Sequence, residues 1–560
     1  MRYLFALLFT FQILILQAQD QVALSKEQQV DQLFSTWNKP HKPGVAIAII
    51  QNNRIAYTKG YGQANLEYGI PITPNTVFHS ASLSKQFTAF SILLLAKQGK
   101  LSLDDEVKKY IPAMPDFGKK ITLRHLATHS SGLRDQWNLL RLAGWRSGDV
   151  VTKAHIMTLL KHQKKLNFEP GSQFSYCNTG YTLLAEIVAR VSGQSFADFT
   201  QANIFKPLGM KNSLFYDDHE KIVKNRAYSY HRHHKGFKKS VLNFATVGAT
   251  SLFTTANDLS LWAMNFEQLK IGSKAIFEQM QTTMKLPNGR KTGVGLGQFV
   301  GHYKGVKVVY HSGSDAGYRL YLVRFPAHNF AALVLSNVAS FQRTLVFRIA
   351  DIYLKQHYEK EKKRTKKKVF AHKPSKFIKL STTQLETFVG KYWETAEWYN
   401  RKIYIKKGAL MYYRNKKSET KLLPISPNEF KMIGDTENVS VIFDKNKQGN
   451  ARMLVKINDR KPIEFLKYTS IDLKAYLGKY HSPELSTNYT FVIENNQPVL
   501  KHFRLGIIPL VPITNDWFTS KNYTYKKMRF VRDKHHQVMG FQISTNRVKD
   551  LFFERVKPQK

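Results

Sequence analysis

The chain predicts an α+β domain, an antiparallel sheet flanked by helices, followed by two tandem all-β barrels. Three observations predict it. Apolar runs of strand length lie at both ends of the first 355 residues, with helical and polar stretches between them. A lysine-dominated block then fills Lys355 to Lys379. Beyond it the sequence repeats at an offset of 88 residues, in short alternating runs broken by Asn, Lys and Gly turns. At 560 residues the chain exceeds one ordinary domain. The divisions read from it are a leader over 1–19, a helix-and-sheet domain over 20–355, a basic linker over 356–380, and barrels over 381–470 and 471–560.

Taking the elements in order, Arg2 precedes an apolar run from Tyr3 to Leu16, followed by Gln17-Ala18-Gln19-Asp20. The run is short for a membrane span and has the charge–apolar–small layout of a secretory signal, with cleavage expected near Ala18 or Gln19. An exported protein, periplasmic or extracellular, is expected. Residues 43–62 read as a hairpin turning at Asn52-Asn53. The next feature is Phe78-His79-Ser80-Ala81-Ser82-Leu83-Ser84-Lys85, leading into an apolar run from Phe87 to Gln98 that Gly99 stops. Thr255-Ala-Asn-Asp258 has the form of a helix-starting cap before Leu259. Strands are expected at Val306–Tyr310, Tyr318–Phe325 and Ala331–Leu335. A helix with Leu345, Ile349, Ile352 and Tyr353 on one face closes the unit.

In the repeat, Leu385-Glu-Thr-Phe388-Val-Gly390-Lys-Tyr392 matches Leu473-Lys-Ala-Tyr476-Leu-Gly478-Lys-Tyr480. The same offset joins Pro424 to Pro512, Phe430 to Phe518 and Phe465 to Phe553. A copy of about this length suffices for a small closed barrel.

Composition bounds the partners. The net charge of +45 favours polyanions. For an exported protein, an anionic envelope polymer fits better than nucleic acid, which is not expected. Cys177 is the only cysteine, so no intrachain disulfide forms. No segment after the leader reads as a membrane span. His125, His129 and the His231-Arg-His-His234 cluster lack spaced acidic or cysteine partners, so neither a metal nor another cofactor is expected.

Chemistry concentrates in three clusters. Ser82 and Lys85 stand three apart at the mouth of an apolar helix, on one face, where a desolvated amine can deprotonate a hydroxyl. Tyr176-Cys177-Asn178 lies within Phe174-Ser-Tyr-Cys-Asn-Thr-Gly180. His311-Ser312-Gly313-Ser314 leaves the strand ending at Tyr310.

Together these resemble the penicillin-recognising serine hydrolases, in the class C β-lactamase-like branch with its DD-carboxypeptidases, D-aminopeptidases and esterases. The resemblance spans roughly residues 40–355 in the family's order. Ile121-Thr-Leu-Arg-His-Leu-Ala-Thr-His-Ser-Ser-Gly-Leu133, Pro207-Leu-Gly-Met210 and Gly293-Val-Gly-Leu-Gly297 also look familiar. The resemblance implies a serine β-lactamase-like catalytic domain with Ser82 as acylated nucleophile and Lys85 assisting its deprotonation. It implies that Tyr176 shuttles the proton to the leaving group and activates the deacylating water, its pKa lowered by nearby cations. Asn178 would bind the acyl amide, and the backbone N–H groups of Ser82 and Ser314 would form an oxyanion hole. His311, within the Ser312-Gly313-Ser314 motif, stands where many relatives have lysine and would position the tyrosine or a substrate carboxylate. Arg319 is a further candidate for that carboxylate, and Cys177 reads as a packed side chain. The third motif has no Lys-Thr-Gly, which points away from a dedicated β-lactamase. The expected activity is hydrolysis of an amide or ester through a Ser82 acyl-enzyme, on D-amino-acid peptides, peptidoglycan-like peptides or small esters. The alternative is a catalytically weak penicillin-binding-like protein that holds an anionic envelope polymer.

Overall fold

In the computed structural model, residues 24–358, 376–394, 399–415, 418–434, 437–447, 449–469 and 471–557 are described. The expected leader and most of the basic linker lie outside them.

The chain enters through helix α1 (Lys26–Phe34), capped by Ser25, and a hairpin of β1 (Val45–Gln51) and β2 (Arg54–Tyr61). Asn52 and Asn53 both take positive φ, the conformation a two-residue hairpin turn needs. Near the end of the domain come β3 (Phe299–Tyr303), β4 (Val306–Asp315), β5 (Tyr318–Phe325) and β6 (Phe330–Ser336). They join the hairpin in one six-stranded sheet of order β3-β4-β5-β6-β1-β2, antiparallel throughout. Two departures from the sequence expectation matter. A strand precedes Val306, and His311–Ser314 continues β4 rather than leaving it. Pairing Val309–Asp315 with Tyr318–Arg324 keeps the motif in the ladder.

Helices cover both faces. α2 (Ser84–Lys97), α3 (Asn178–Ser192) and α4 (Ala256–Gln268) pack on one side around Phe87, Phe90, Tyr181, Leu184 and Trp262. α1 and α5 (Leu345–Leu354) close the other side over Ile47, Val323 and Val334. α2 is buried nearly all round, which explains its continuous apolar run. Thr255 caps α4 by accepting from Asp258 N at 3.0 Å.

The C-terminal region is two antiparallel barrels. Eight strands from Gly390 to Lys467 close completely, and nine from Gly478 to Arg555 nearly close. The 88-residue repeat is also a repeat of register. Gly390 pairs with Ile403 and Tyr392 with Lys467; Gly478 pairs with Phe491 and Tyr480 with Arg555. In each copy the tyrosine hydroxyl donates to the carbonyl four residues back, Tyr392 to Phe388 at 2.8 Å and Tyr480 to Tyr476 at 2.7 Å. The second barrel packs on the first domain: Leu139, Leu140, Leu142 and Ile156 share one apolar cluster with Tyr489, Phe491 and Phe553. No described helix is long and apolar enough to cross a membrane.

Candidate active site

The nucleophile turn is built from the backbone outward. Phe78–His79 is a short strand, Ala81–Leu83 a single 3₁₀ turn, and α2 begins at Ser84. Ala81 has φ +49°, a strained value for a residue with a Cβ, and the structure holds it there. Ser80 N and Oγ both donate to Leu252 O, at 2.7 and 2.8 Å. Ser84 Oγ donates to Ala81 O at 2.6 Å and accepts from Leu252 N at 3.0 Å. The turn thus presents Ser82, partly exposed, on a fixed frame.

One turn on, Lys85 is fully buried at 0% exposure. Its Nζ donates to Ser82 Oγ at 3.0 Å, Asn178 Oδ1 at 2.9 Å and Ala249 O at 2.6 Å, and lies 5.0 Å from the Tyr176 ring centre. Three acceptors saturate an ammonium's three protons. Burial nevertheless pushes its pKa well down, against the opposing pull of Asp315 and Asp135. The environment therefore holds a lysine close to losing its proton beside a serine hydroxyl.

Tyr176 precedes α3, its ring 4.2 Å from that of buried His129 and 6.4 Å from that of His311. Here the electrostatics differ from the sequence expectation. Burial raises the phenol's pKa, and it outweighs the lowering contributions of the Ser82 hydrogen bond and the Arg547 charge. Tyr176 is accordingly held as a neutral phenol that donates or relays a proton. His129 Nδ1 accepts from Cys177 N at 3.1 Å, and burial depresses its pKa strongly, so it is neutral and fixes the Tyr176-Cys177 backbone. Cys177 is buried, with its thiol pushed up to about 12 by burial; it is packed, not reactive.

Asn178 is held by Asp135, whose Oδ2 accepts from Asn178 N and Nδ2, both at 2.7 Å. This fixes the amide so that its oxygen faces Lys85. Across the cleft runs β4. A Cβ on Gly313 would lie 2.3 Å from Ser80 O, so only glycine lets the strand approach the nucleophile turn and set Ser314 beside it. His311 is buried, its Nδ1 2.8 Å from Ser312 O, and burial with the Lys85 charge lowers its pKa to about 3. It is a neutral imidazole. Ser312 is partly buried, while Ser314 is exposed and accepts from Arg343 Nη1 at 3.1 Å. Asp315, pushed up by burial, accepts from Thr250 Oγ1.

The structure thus brings Ser82, Lys85, Tyr176, Asn178, His311 and the Ser312–Ser314 strand around one cleft. Arg319 donates to the carbonyls of Ala316 and Tyr318 instead. His231–His234 sits on an exposed hairpin. Sequence reading missed Asp135, His129 as a support of Tyr176, and Arg547, which arrives from the second barrel. Asp135 lies two residues past the Ser131-Gly132-Leu133 segment already picked out; Arg547 carries no local signal.

Fold and site together define a serine hydrolase of the β-lactamase fold. The chain belongs to the beta-lactamase family: the family model described as Beta-lactamase matches residues 27–353. Penicillin-binding protein 4* of Bacillus subtilis is 30% identical over 331 residues, 56% of this chain and 72% of that protein. A D-aminopeptidase of Gluconobacter oxydans is 25% identical over 320 residues, 57% of this chain and 60% of its own length. Among solved structures, the octameric penicillin-binding protein homologue from Pyrococcus abyssi aligns over 79% of this chain and 99% of its own, with TM-score 0.53 and 23% identity. A D-amino acid amidase from Ochrobactrum anthropi aligns over 59% and 98%, with TM-score 0.50 and 20% identity. Both structural likenesses bear on the fold alone.

Proposed function

We propose that the protein cleaves an amide or ester through a Ser82 acyl-enzyme, on D-amino-acid peptides, peptidoglycan-like peptides or small esters. One observation carries this reading: a fully buried, depressed Lys85 amine 3.0 Å from Ser82 Oγ. In the proposed cycle the neutral amine takes the Ser82 proton as Oγ attacks the carbonyl. The backbone N–H groups of Ser82 and Ser314 stabilise the oxyanion, each worth about 3 kcal/mol. Tyr176 passes its proton to the leaving group and takes one from the deacylating water, and Lys85 returns its proton to the departing Ser82 Oγ. Asn178, clamped by Asp135, holds the acyl amide. His311, neutral, packs beside the phenol and keeps it oriented. The D-aminopeptidase relatives support the D-amino-acid class. The reading includes export, supported by the Arg2 and Tyr3–Leu16 leader pattern, and an anionic envelope polymer as a partner of the +45 charge.

The test is turnover of the D and L forms of a small N-acyl amino-acid ester and amide by wild type and Ser82→Ala. Hydrolysis of a D form by wild type, lost by a factor of at least about 1,000 in Ser82→Ala, is expected. Equal rates for the two proteins would remove Ser82 from the reaction.

A further inference from the structure

The loop joining the second barrel's strands Val538–Ser544 and Leu551–Arg555 reaches into the catalytic cleft. Its backbone is pinned on both sides of Arg547. Arg547 O accepts from Asp135 N at 3.2 Å and from Asn167 Nδ2 at 2.9 Å. Lys549 N donates to Asn167 Oδ1 at 2.8 Å, Lys549 O accepts from Arg134 Nη2 at 2.8 Å, and Thr545 Oγ1 accepts from Asn138 Nδ2 at 3.0 Å. A loop tied at so many points places its side chain deliberately.

That side chain is underused. The Arg547 guanidinium carbon sits 4.8 Å from the Tyr176 ring centre. Its Nη1 is 3.7 Å from Asp135 Oδ2, beyond hydrogen-bond reach of an oxygen already serving both Asn178 donors. Among the described residues the guanidinium makes no hydrogen bond, and the side chain is 31% exposed. Five donors in a planar fork, next to the residues read as catalytic, are therefore open to solvent and to substrate.

The surrounding groove agrees in charge. A cavity of about 470 Å³ lies between the two domains, with the stacked pair Trp137 and Phe244 on one wall, Tyr523 on another and Arg547 beside Ser314. Arg141 and Arg146 share its lining, and Arg343 holds Ser314 Oγ from the rim. Of the nearby carboxylates, Asp135 is turned to Asn178, Asp315 lines the cavity but accepts from Thr250 Oγ1, and Asp149 pairs with Arg146 and Arg504. The groove offers cations and aromatic surface to whatever enters.

We propose that Arg547 is a specificity-determining residue that binds a free carboxylate on the acyl portion of the substrate, so that the protein prefers carboxylate-bearing acyl groups to neutral or amine-bearing ones. The acyl side follows from the chain of contacts, since Arg547 adjoins Asp135, and Asp135 grips the Asn178 amide read as the acyl clamp. A protonated amine there would face a cluster of arginines. A carboxylate would complete the guanidinium fork, and the apolar part of the acyl group would lie against Trp137 and Phe244. The proposal rests on the Ser82 acyl-enzyme reading.

The test compares the 4-nitrophenyl ester of glutaric acid monoacid with its glutaramoyl counterpart, equal in size and differing in one charge. kcat/KM for both is measured on wild type, Arg547→Gln and Arg547→Lys. Wild type should favour the carboxylate probe by about tenfold or more. The ratio should fall by roughly 10- to 100-fold in Arg547→Gln and recover in part in Arg547→Lys. On wild type alone, free glutarate should slow Ser82 acylation by a neutral ester more than glutardiamide does. A wild-type ratio at or below one, a ratio untouched by Arg547→Gln, or equal effects of glutarate and its diamide overturns the proposal, whatever happens to the absolute rates. Absence of both turnover and Ser82 acylation with either probe instead overturns the acyl-enzyme reading, and this proposal with it.

Discussion

In the first barrel, the turn between Ala451–Ile457 and Ile463–Lys467 carries Asp459 into solvent; 88 residues on, the same turn of the second barrel carries Arg547 over Tyr176. The two copies share ladder register, buried aromatics and even the tyrosine-to-carbonyl hydrogen bond. What the repeat conserves is therefore the set of side chains that fill a barrel. The turns are freer than the strands to diverge in charge and target, although the second barrel's turn also seats Val548 in its core. Barrel two reaches Tyr176 through Arg547, and barrel one meets barrel two through Trp393, Tyr468 and Ile513.

The largest expected difference between the copies lies in their ion pairs. Arg134 Nη1 and Glu484 Oε2, 1% and 7% exposed, meet at 2.6 Å between the first domain and barrel two, and Glu484 also accepts from Lys164 N. Glu484→Ala strands a buried guanidinium and should cost about 3–5 kcal/mol. Arg452→Ala in barrel one removes partly exposed pairs with Asp444 and Glu464 and should cost at most about 1 kcal/mol. Denaturant unfolding of both variants checks this; equal costs would mean that the interdomain clamp is not a structural one.

Next in size, Asp135→Ala should lower kcat/KM about 100-fold with the fold intact by circular dichroism, because Asn178 loses the acceptor that aims it at Lys85. A change under threefold would detach Asp135 from catalysis.

A smaller effect concerns pH. In the proposed cycle Lys85 acts as a base only when neutral, and burial lowers its pKa, so the acylation rate should fall on acidification along a limb below the ordinary lysine range. The Arg547 charge helps to lower that pKa. Removing it in Arg547→Gln should move the limb to higher pH, by a fraction of a unit, whereas Asp459→Asn in the matching turn should not move it. The pH profile of kcat/KM decides; a shift toward lower pH would reverse the sign and refute the coupling. Smallest of all, Asp459→Arg should change stability by no more than about 0.5 kcal/mol and leave activity alone.

Much of this was legible in the sequence where periodicity or repetition wrote it. The all-round apolar run of α2, the Asn52-Asn53 turn and the 88-residue echo each state their geometry locally. The Ser82–Lys85 pair was legible because one helical turn brings them together. Asp135 and Arg547 were not. Their partners stand 43 and 412 residues away, and the turn dipeptide Asn546-Arg547 says only that it is polar. The sequence reads His311–Ser314 as leaving a strand that ends at Tyr310, and serine and glycine are weak strand formers. The ladder with β5 and the close approach to Ser80 overrode that preference.

The proposed chemistry requires a covalent bond at Ser82. Intact mass and peptide mapping of wild type, Lys85→Met and Ser82→Ala after brief exposure to a small activated ester measure it directly. One acyl increment on wild type, located at Ser82, slowed at least about 100-fold in Lys85→Met and missing from Ser82→Ala, is the predicted result. Turnover by wild type with no increment on quenching, or an increment that persists in Ser82→Ala, would contradict it.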